Sequence, residues 1–79
     1  MNIEKVRELL HAQPFKQFWI HLADGGRILV QHEDFVALDP TGHEMSVFAP
    51  NGSHHFVDVM LVTRLETKPA NGAARGKGR

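Results

Sequence analysis

An apolar alternation on both sides of a glycine turn constrains the fold of this chain more than any other feature of its sequence. In residues 15–23, every second side chain is apolar on one side of an extended chain, namely Phe18, Ile20 and Leu22. Asp24-Gly25-Gly26 follows, and glycine supplies the positive φ of a tight hairpin turn. Residues 27–32 then resume the alternation, and a three-residue loop would place Ile28 opposite Leu22. The sequence therefore predicts an antiparallel β-hairpin with one apolar face.

A short amphipathic helix is predicted before the hairpin. Its apolar residues recur at helical spacing, at Ile3, Val6, Leu9 and Leu10, while charged residues occupy the other side. Asn2 can cap its N-terminus by accepting a backbone N–H bond, and Pro14 cannot continue a helix. The chain therefore opens with one helix and changes to β structure near residue 15.

Three further strands are predicted after the hairpin, at residues 35–38, 45–49 and 56–65. Turns between them are indicated by Asp39-Pro40-Thr41-Gly42 and Pro50-Asn51-Gly52. The last strand is apolar on both faces, so it needs a second cover that the helix or another subunit can provide. One helix followed by five short strands is typical of a small, strongly bent barrel of the SH3-like or Sm-like kind. The predicted fold class is therefore mostly β with an N-terminal helix and a five-stranded barrel.

The hairpin and the step that follows it carry a family resemblance. The matching positions are Leu22 at the end of an apolar strand, Asp24 and Gly25 in the turn, and Asp34 and Phe35 before the third strand. This arrangement resembles the first signature of Sm-like proteins, which include bacterial Hfq, and it implies their fold over most of residues 2–66. That family holds RNA with a Tyr-Lys-His or Arg-Gly-Asp/Asn step at the start of the last strand. This chain has Phe56-Val57-Asp58 there, so the resemblance implies the fold without the uridine pocket.

The charge of the chain is divided between a body and a tail. Residues 1–67 contain five basic and nine acidic side chains, a net charge of −4, whereas residues 68–79 contain four basic side chains and no acidic one. The tail has no apolar residue larger than alanine, so burial cannot offset the entropy of ordering it. We therefore predict a single domain at residues 1–67 and a disordered basic tail at residues 68–79.

No feature of the sequence directs the chain to a membrane or to an oxidising compartment. Its 79 residues include no cysteine, which excludes disulfides, thiolate metal ligands and a cysteine nucleophile. The first residues do not form a secretion signal, and no stretch approaches the ~18 apolar residues of a membrane span. These observations predict a cytoplasmic protein without a membrane partner.

Residues that could support catalysis or metal binding are present but do not form a known pattern. The six histidines are His11, His21, His32, His43, His54 and His55. They form no His-x-His or His-x-x-x-His pair, and the adjacent His54 and His55 would point to opposite faces of a strand. Ser46, Ser53 and Thr63 lie outside any Gly-x-Ser-x-Gly pattern of an activated nucleophile. We therefore predict no enzyme activity, no metal site and no cofactor.

Two main hypotheses for function remain open from the sequence, and a histidine-based metal or hydrolytic site is kept as a third behind them. The first is a non-catalytic module that forms homo-oligomers or binds another protein, because a small core and a two-sided apolar strand gain stability from an interface. Its candidate contact residues are Ile3, Leu10, Trp19, Met60 and Val62. The alternative is RNA or single-stranded nucleic-acid binding in the Sm-like manner, with phosphate contacts from Arg75, Lys77 and Arg79.

Overall fold

The computed structural model describes residues 2–68, and it begins with the predicted helix, α1, at Ile3–Leu10. The side chain of Asn2 accepts a hydrogen bond from the backbone N–H of Glu4 at 2.8 Å, which caps the helix as predicted. Val6 and Leu10 are buried, so α1 packs its apolar side onto the rest of the chain. Within residues 2–68, no helix has the length and the apolar character that crossing a bilayer requires.

Within residues 2–68, six strands follow α1, and they are β1 (Phe18–Leu22), β2 (Arg27–Val30), β3 (Val36–Leu38), β4 (Glu44–Phe48), β5 (His54–Asp58) and β6 (Val62–Thr67). They form two three-stranded antiparallel sheets, in the order β2-β1-β6 and the order β3-β4-β5. A 3-10 turn at Glu33–Phe35 leads the chain from the first sheet into the second, and another at Val59–Leu61 returns it. The prediction of a mostly β chain with one N-terminal helix is confirmed.

The first hairpin has the predicted apolar face but a different register. Ile28 lies opposite Ile20 and not opposite Leu22. The backbone N–H of Leu22 donates to the carbonyl of Gly26 at 2.8 Å, and the N–H of Gly25 donates to the carbonyl of Leu22 at 3.0 Å. These bonds start the loop one residue earlier than predicted, and Gly25 adopts a φ of 91° in it. Because the register moves by two residues, every side chain keeps its face.

The prediction of one continuous last strand at residues 56–65 is wrong, because a 3-10 turn divides it into β5 and β6. The carboxylate of Asp58 accepts a hydrogen bond from the N–H of Met60 at 2.9 Å, and the N–H of Val62 donates within the turn. These bonds satisfy the backbone at the point where the chain leaves the second sheet for the first. The segment is apolar on both faces because the chain turns at Val59–Leu61 from one sheet into the other.

In the part of the chain that the structure describes, one hydrophobic core lies between α1 and the two sheets. Its buried residues are Val6, Leu10, Phe18, Ile20, Ile28, Val30, Met45, Val47, Val57, Val59 and Val62. Phe18 and Ile20 of the first sheet and Val47 of the second are fully buried. Both sheets therefore contribute their inner faces to the same core, and each leaves its outer face to solvent.

Candidate functional site

A groove of about 660 Å³ runs along the outer edge of β5. Its walls are the five residues of β5, the residues Leu22, Ala23 and Asp24 at the tip of the first hairpin, and Leu61. The backbone N–H of Ala23 donates to the carbonyl of Leu61 at 2.8 Å, which fixes the hairpin tip against the second 3-10 turn. Within residues 2–68, β5 pairs with β4 alone, so the groove follows an edge of the second sheet.

Large apolar side chains are exposed on β5, on its neighbour β4 and in the turn that follows β5. Phe56 is 80% exposed and Met60 is 82% exposed, and Leu61 and Phe48 are about half exposed. Val57 points into the core, so the alternation of the strand directs Phe56 outward. Exposed rings and thioethers beside a sheet edge are typical of an interaction surface. We call the five residues Phe48, His54, Phe56, Met60 and Leu61 the β5 surface.

Three aromatic rings form a row on the outer face of the second sheet. The ring of His54 stacks on that of Phe48, with 4.3 Å between centroids and 16° between planes. The centroid of the Phe56 ring lies 4.3 Å from that of His54, with the two planes tilted by 43°. Phe48 and His54 are directly opposite in the pairing of β4 with β5, which explains the stack. The row offers flat apolar area with little side-chain entropy to lose on binding.

Two carboxylates lie at the end of this row. Glu44 on β4 is directly opposite Asp58 on β5, and like charges in this arrangement repel. Among residues 2–68, neither carboxylate forms an ion pair with a basic side chain. Asp24 adds a third carboxylate on the opposite wall of the groove. The aromatic row of the β5 surface therefore ends beside uncompensated negative charge.

The charged groups of the first sheet are paired instead. His21 Nε2 lies 2.9 Å from Glu66 Oε1, and Arg64 Nη2 lies 3.8 Å from the same oxygen. The hydrogen bond with His21 is the main cause that lowers the pKa of the Glu66 carboxyl below its usual value. This cluster links β1 to β6 and serves the structure of the first sheet.

Neither a metal centre nor an activated nucleophile is found among residues 2–68. No three histidine, aspartate or glutamate side chains of this range are grouped to hold a metal ion. Ser53 Oγ lies 2.9 Å from Nε2 of His55, but its proton is directed to Asn51 Oδ1 at 2.6 Å. The nitrogen of His55 then donates to Ser53 instead of accepting its proton, so the contact stabilises a turn.

The fold separates the predicted contact residues from one another. Met60, in the turn that follows β5, is 82% exposed, whereas Leu10 and Val62 are in the core, 4% and 3% exposed. Leu10 and Val62 therefore stabilise the chain itself and present no surface to a partner. Of these three residues, Met60 alone belongs to the β5 surface.

The other predicted residues lie away from the groove. Ile3 packs against Gly42 in the turn between β3 and β4. Trp19 is half-buried, with the guanidinium of Arg27 4.2 Å above its ring. The predicted nucleic-acid contacts Arg75, Lys77 and Arg79 lie outside the described residues.

Sequence reasoning did not select Phe48, His54 or Phe56, although part of the signal was present. The alternation around Val57 assigns Phe56 to the outer face of its strand. The sequence does not show that β5 ends a sheet, because strand order depends on contacts between distant segments.

Comparisons with protein-family models, with curated proteins and with solved structures find no match to this chain. The geometry of the β5 surface therefore carries the functional argument.

Proposed function

We propose that this chain is a non-catalytic cytoplasmic module that self-associates through the β5 surface. The observation that carries the proposal is the 80% exposure of Phe56 on a strand that, within residues 2–68, has a neighbour on one side only. Burial of such a ring against a partner contributes about 1.5–3 kcal/mol. Pairing along β5 would also satisfy edge N–H and C=O groups that otherwise invite uncontrolled association.

The same proposal includes the finer fold, a small, strongly bent barrel of the SH3-like or Sm-like kind. Its support is the shared core and the two 3-10 turns that carry the chain between the sheets. In such a barrel, β5 and β6, on either side of the turn at Val59–Leu61, together take the place of the last of the five strands in the sequence prediction. A barrel of this size has a small core, so association adds the buried area that one chain lacks.

Sedimentation equilibrium over a range of concentrations tests the proposal on the full chain. We expect the mass of the wild type to rise above the 8.9 kDa of one chain as the concentration increases. Phe56→Ser and Met60→Ser should each move the rise to higher concentrations without unfolding the chain, because both side chains are mostly exposed. Phe35→Ser, at an exposed aromatic residue outside the groove, is the matched control and should associate like the wild type. A mass of one chain at every concentration would refute self-association.

Nucleic-acid binding is the second candidate, and the aromatic row is the observation that favours it. Single-stranded nucleic acids stack their bases on such rings, and the basic residues Arg75, Lys77 and Arg79 would contact phosphates. The carboxylates of Glu44 and Asp58 beside the row oppose phosphate binding, which ranks this candidate second. Titration of single-stranded RNA at low salt, with the full chain and with residues 1–67, tests it. Loss of binding on truncation supports the proposal, and no binding at low salt refutes it.

A further inference from the structure

The backbone of β5 directs alternate residues toward its outer edge. The N–H of Ala49 donates to the carbonyl of Ser53, and the N–H of Val59 donates to the carbonyl of His43, both at 2.9 Å. These bonds extend the β4–β5 ladder at both ends and fix which residues of β5 hydrogen-bond to β4, because such residues alternate in an antiparallel pair. The remaining residues direct their backbone groups away from β4, and they are His54, Phe56 and Asp58. Their side chains share the outer face of the sheet.

The sequence of β5 is complementary to itself when it is read in reverse. Two copies of His54-His55-Phe56-Val57-Asp58 that run antiparallel, with Phe56 at the centre, place Phe56 opposite Phe56. The same register places His54 of each copy opposite Asp58 of the other. All of these residues direct their backbone groups outward, so the register also satisfies the alternation of an antiparallel ladder. A two-fold axis through the central pair makes the interface identical for both chains.

We propose that two copies of this chain pair their β5 strands antiparallel about Phe56 and form a continuous six-stranded sheet. This inference rests on the proposed function and names its partner, a second copy, and its register. Charge complementarity favours a second copy as the partner, because this register places His54 of the partner next to Asp58. A neutral imidazole donates a hydrogen bond to that carboxylate, and a protonated one adds an ion pair.

The pairing also resolves the two unusual features of the isolated chain. Asp58 faces Glu44 on one side, and the partner's histidine on its other side reduces the repulsion between the two carboxylates. The exposed ring of Phe56 gains an aromatic neighbour, and the two aromatic rows join across the axis. The groove is also long enough for the partner's strand, because all five residues of β5 line it. In the proposed dimer, the five-residue β5 of the partner lies along this groove.

Disulfide trapping tests the register directly, because the chain has no cysteine of its own. In the proposed dimer, positions 54 and 58 of different chains are about 5.5 Å apart at Cα, which a disulfide can span. The two copies of position 54 lie four residues apart along the paired strands. Their separation is roughly 14 Å, which no disulfide spans. We expect a mixture of the His54→Cys chain and the Asp58→Cys chain to cross-link under mild oxidation. Each variant alone should not cross-link.

A second pair of variants keeps the test decisive if Asp58→Cys does not fold, since Asp58 caps the turn that follows β5. Phe56→Cys should cross-link to itself across the axis at a protein concentration raised to offset the weaker association. Ala37→Cys, exposed on the same face but on β3, should not cross-link, because two strands separate it from the axis of the dimer.

The result that would overturn the symmetric register is cross-linking of Phe56→Cys no faster than that of Ala37→Cys, in chains that still sediment as oligomers. That outcome leaves self-association standing and points to an unlike strand, such as β6, as the partner of β5. A wild-type mass of one chain would instead refute the proposed function itself.

Discussion

Asp58 lies directly opposite Glu44 across the pairing of β5 with β4, and no basic side chain of residues 2–68 forms an ion pair with either. Like charges in this arrangement destabilise an isolated antiparallel pair. The first sheet, in contrast, places His21 beside Glu66 at 2.9 Å. The uncompensated pair therefore distinguishes β5 from the other edge strands and supports the assignment of β5 as an interface.

Core and surface phenylalanines should respond very differently to truncation. Phe18 is fully buried, so Phe18→Ala should lower the free energy of unfolding by about 3–5 kcal/mol. Phe56→Ala should change it by no more than about 0.5 kcal/mol in dilute protein, because the ring is 80% exposed. Urea unfolding at a concentration where the chain is monomeric measures both values. A large loss in Phe56→Ala under these conditions would mean that the ring packs within its own chain.

The cap at the second 3-10 turn should depend on the acceptor oxygen of residue 58. Asp58→Ala removes the acceptor for the N–H of Met60 and should cost about 0.5–2 kcal/mol of stability. Asp58→Asn keeps an acceptor oxygen and removes the charge opposite Glu44, so it should be at least as stable as the wild type and is the matched variant. Urea unfolding of the two variants provides the comparison. Equal losses in both would show that the charge, and not the hydrogen bond, stabilises the turn.

Acid stability should depend on the pairing of Glu66 with His21. The hydrogen bond from His21 lowers the folded-state pKa of Glu66, so the ionised carboxylate stabilises the fold above its unfolded pKa. That contribution is lost as the pH falls through the folded pKa, in a window below roughly pH 4. Glu66→Gln and His21→Ala should therefore both show a shallower loss of stability in this window than the wild type. Unfolding free energies measured by urea titration from neutral to acidic pH give the slopes, and a wild-type slope in Glu66→Gln would contradict the assignment.

Alanine should be tolerated less well at Gly42, in the turn between β3 and β4, than at Gly25 in the first hairpin. Gly25 and Gly42 both have positive φ, at 91° and 81°, so alanine at either position adds strain of about 1 kcal/mol or more. A Cβ on Gly42 would also lie 3.1 Å from Cγ2 of Ile3, whereas a Cβ on Gly25 meets no atom within 4 Å. Gly42→Ala should therefore lower the thermal midpoint more than Gly25→Ala. In an Ile3→Ala background, Gly42→Ala should lower the thermal midpoint by about as much as Gly25→Ala does, because the contact with Cγ2 of Ile3 is then gone. An unchanged effect of Gly42→Ala in that background would mean that other movements already relieve the contact.

Local patterns in the sequence were sufficient to predict the helix, the first hairpin and the mostly β class. The cap at Asn2 and the alternation from Phe18 to Leu22 depend on neighbours in the chain, and both are present in the structure. The break at Val59–Leu61 was missed because its apolar residues suit a strand as well as a turn. The turn is fixed by a hydrogen bond that the side chain of Asp58 accepts from the N–H of Met60. This is a short-range signal, but the apolar alternation around Asp58 concealed it.

The candidate site was less predictable, because it depends on which strand ends a sheet. Met60 was selected from its place in a two-sided apolar segment, and the fold does expose it. Leu10 and Val62 had the same apolar character, yet the packing of α1 and of β6 buries both. Sequence periodicity separates the two faces of an element, but it does not tell which face meets a neighbour from a distant segment.

The most direct test of the account is amide hydrogen exchange at β5 as a function of protein concentration, measured residue by residue. The account predicts that the amides of His54 and Phe56, which point away from β4, exchange rapidly in dilute protein and slow markedly as the chain associates. The amides of His55 and Val57, which lie on the β4 side, should be protected at every concentration and provide the internal control. Exchange at His54 and Phe56 that stays rapid while the mass rises would contradict the account, because association would then use another surface.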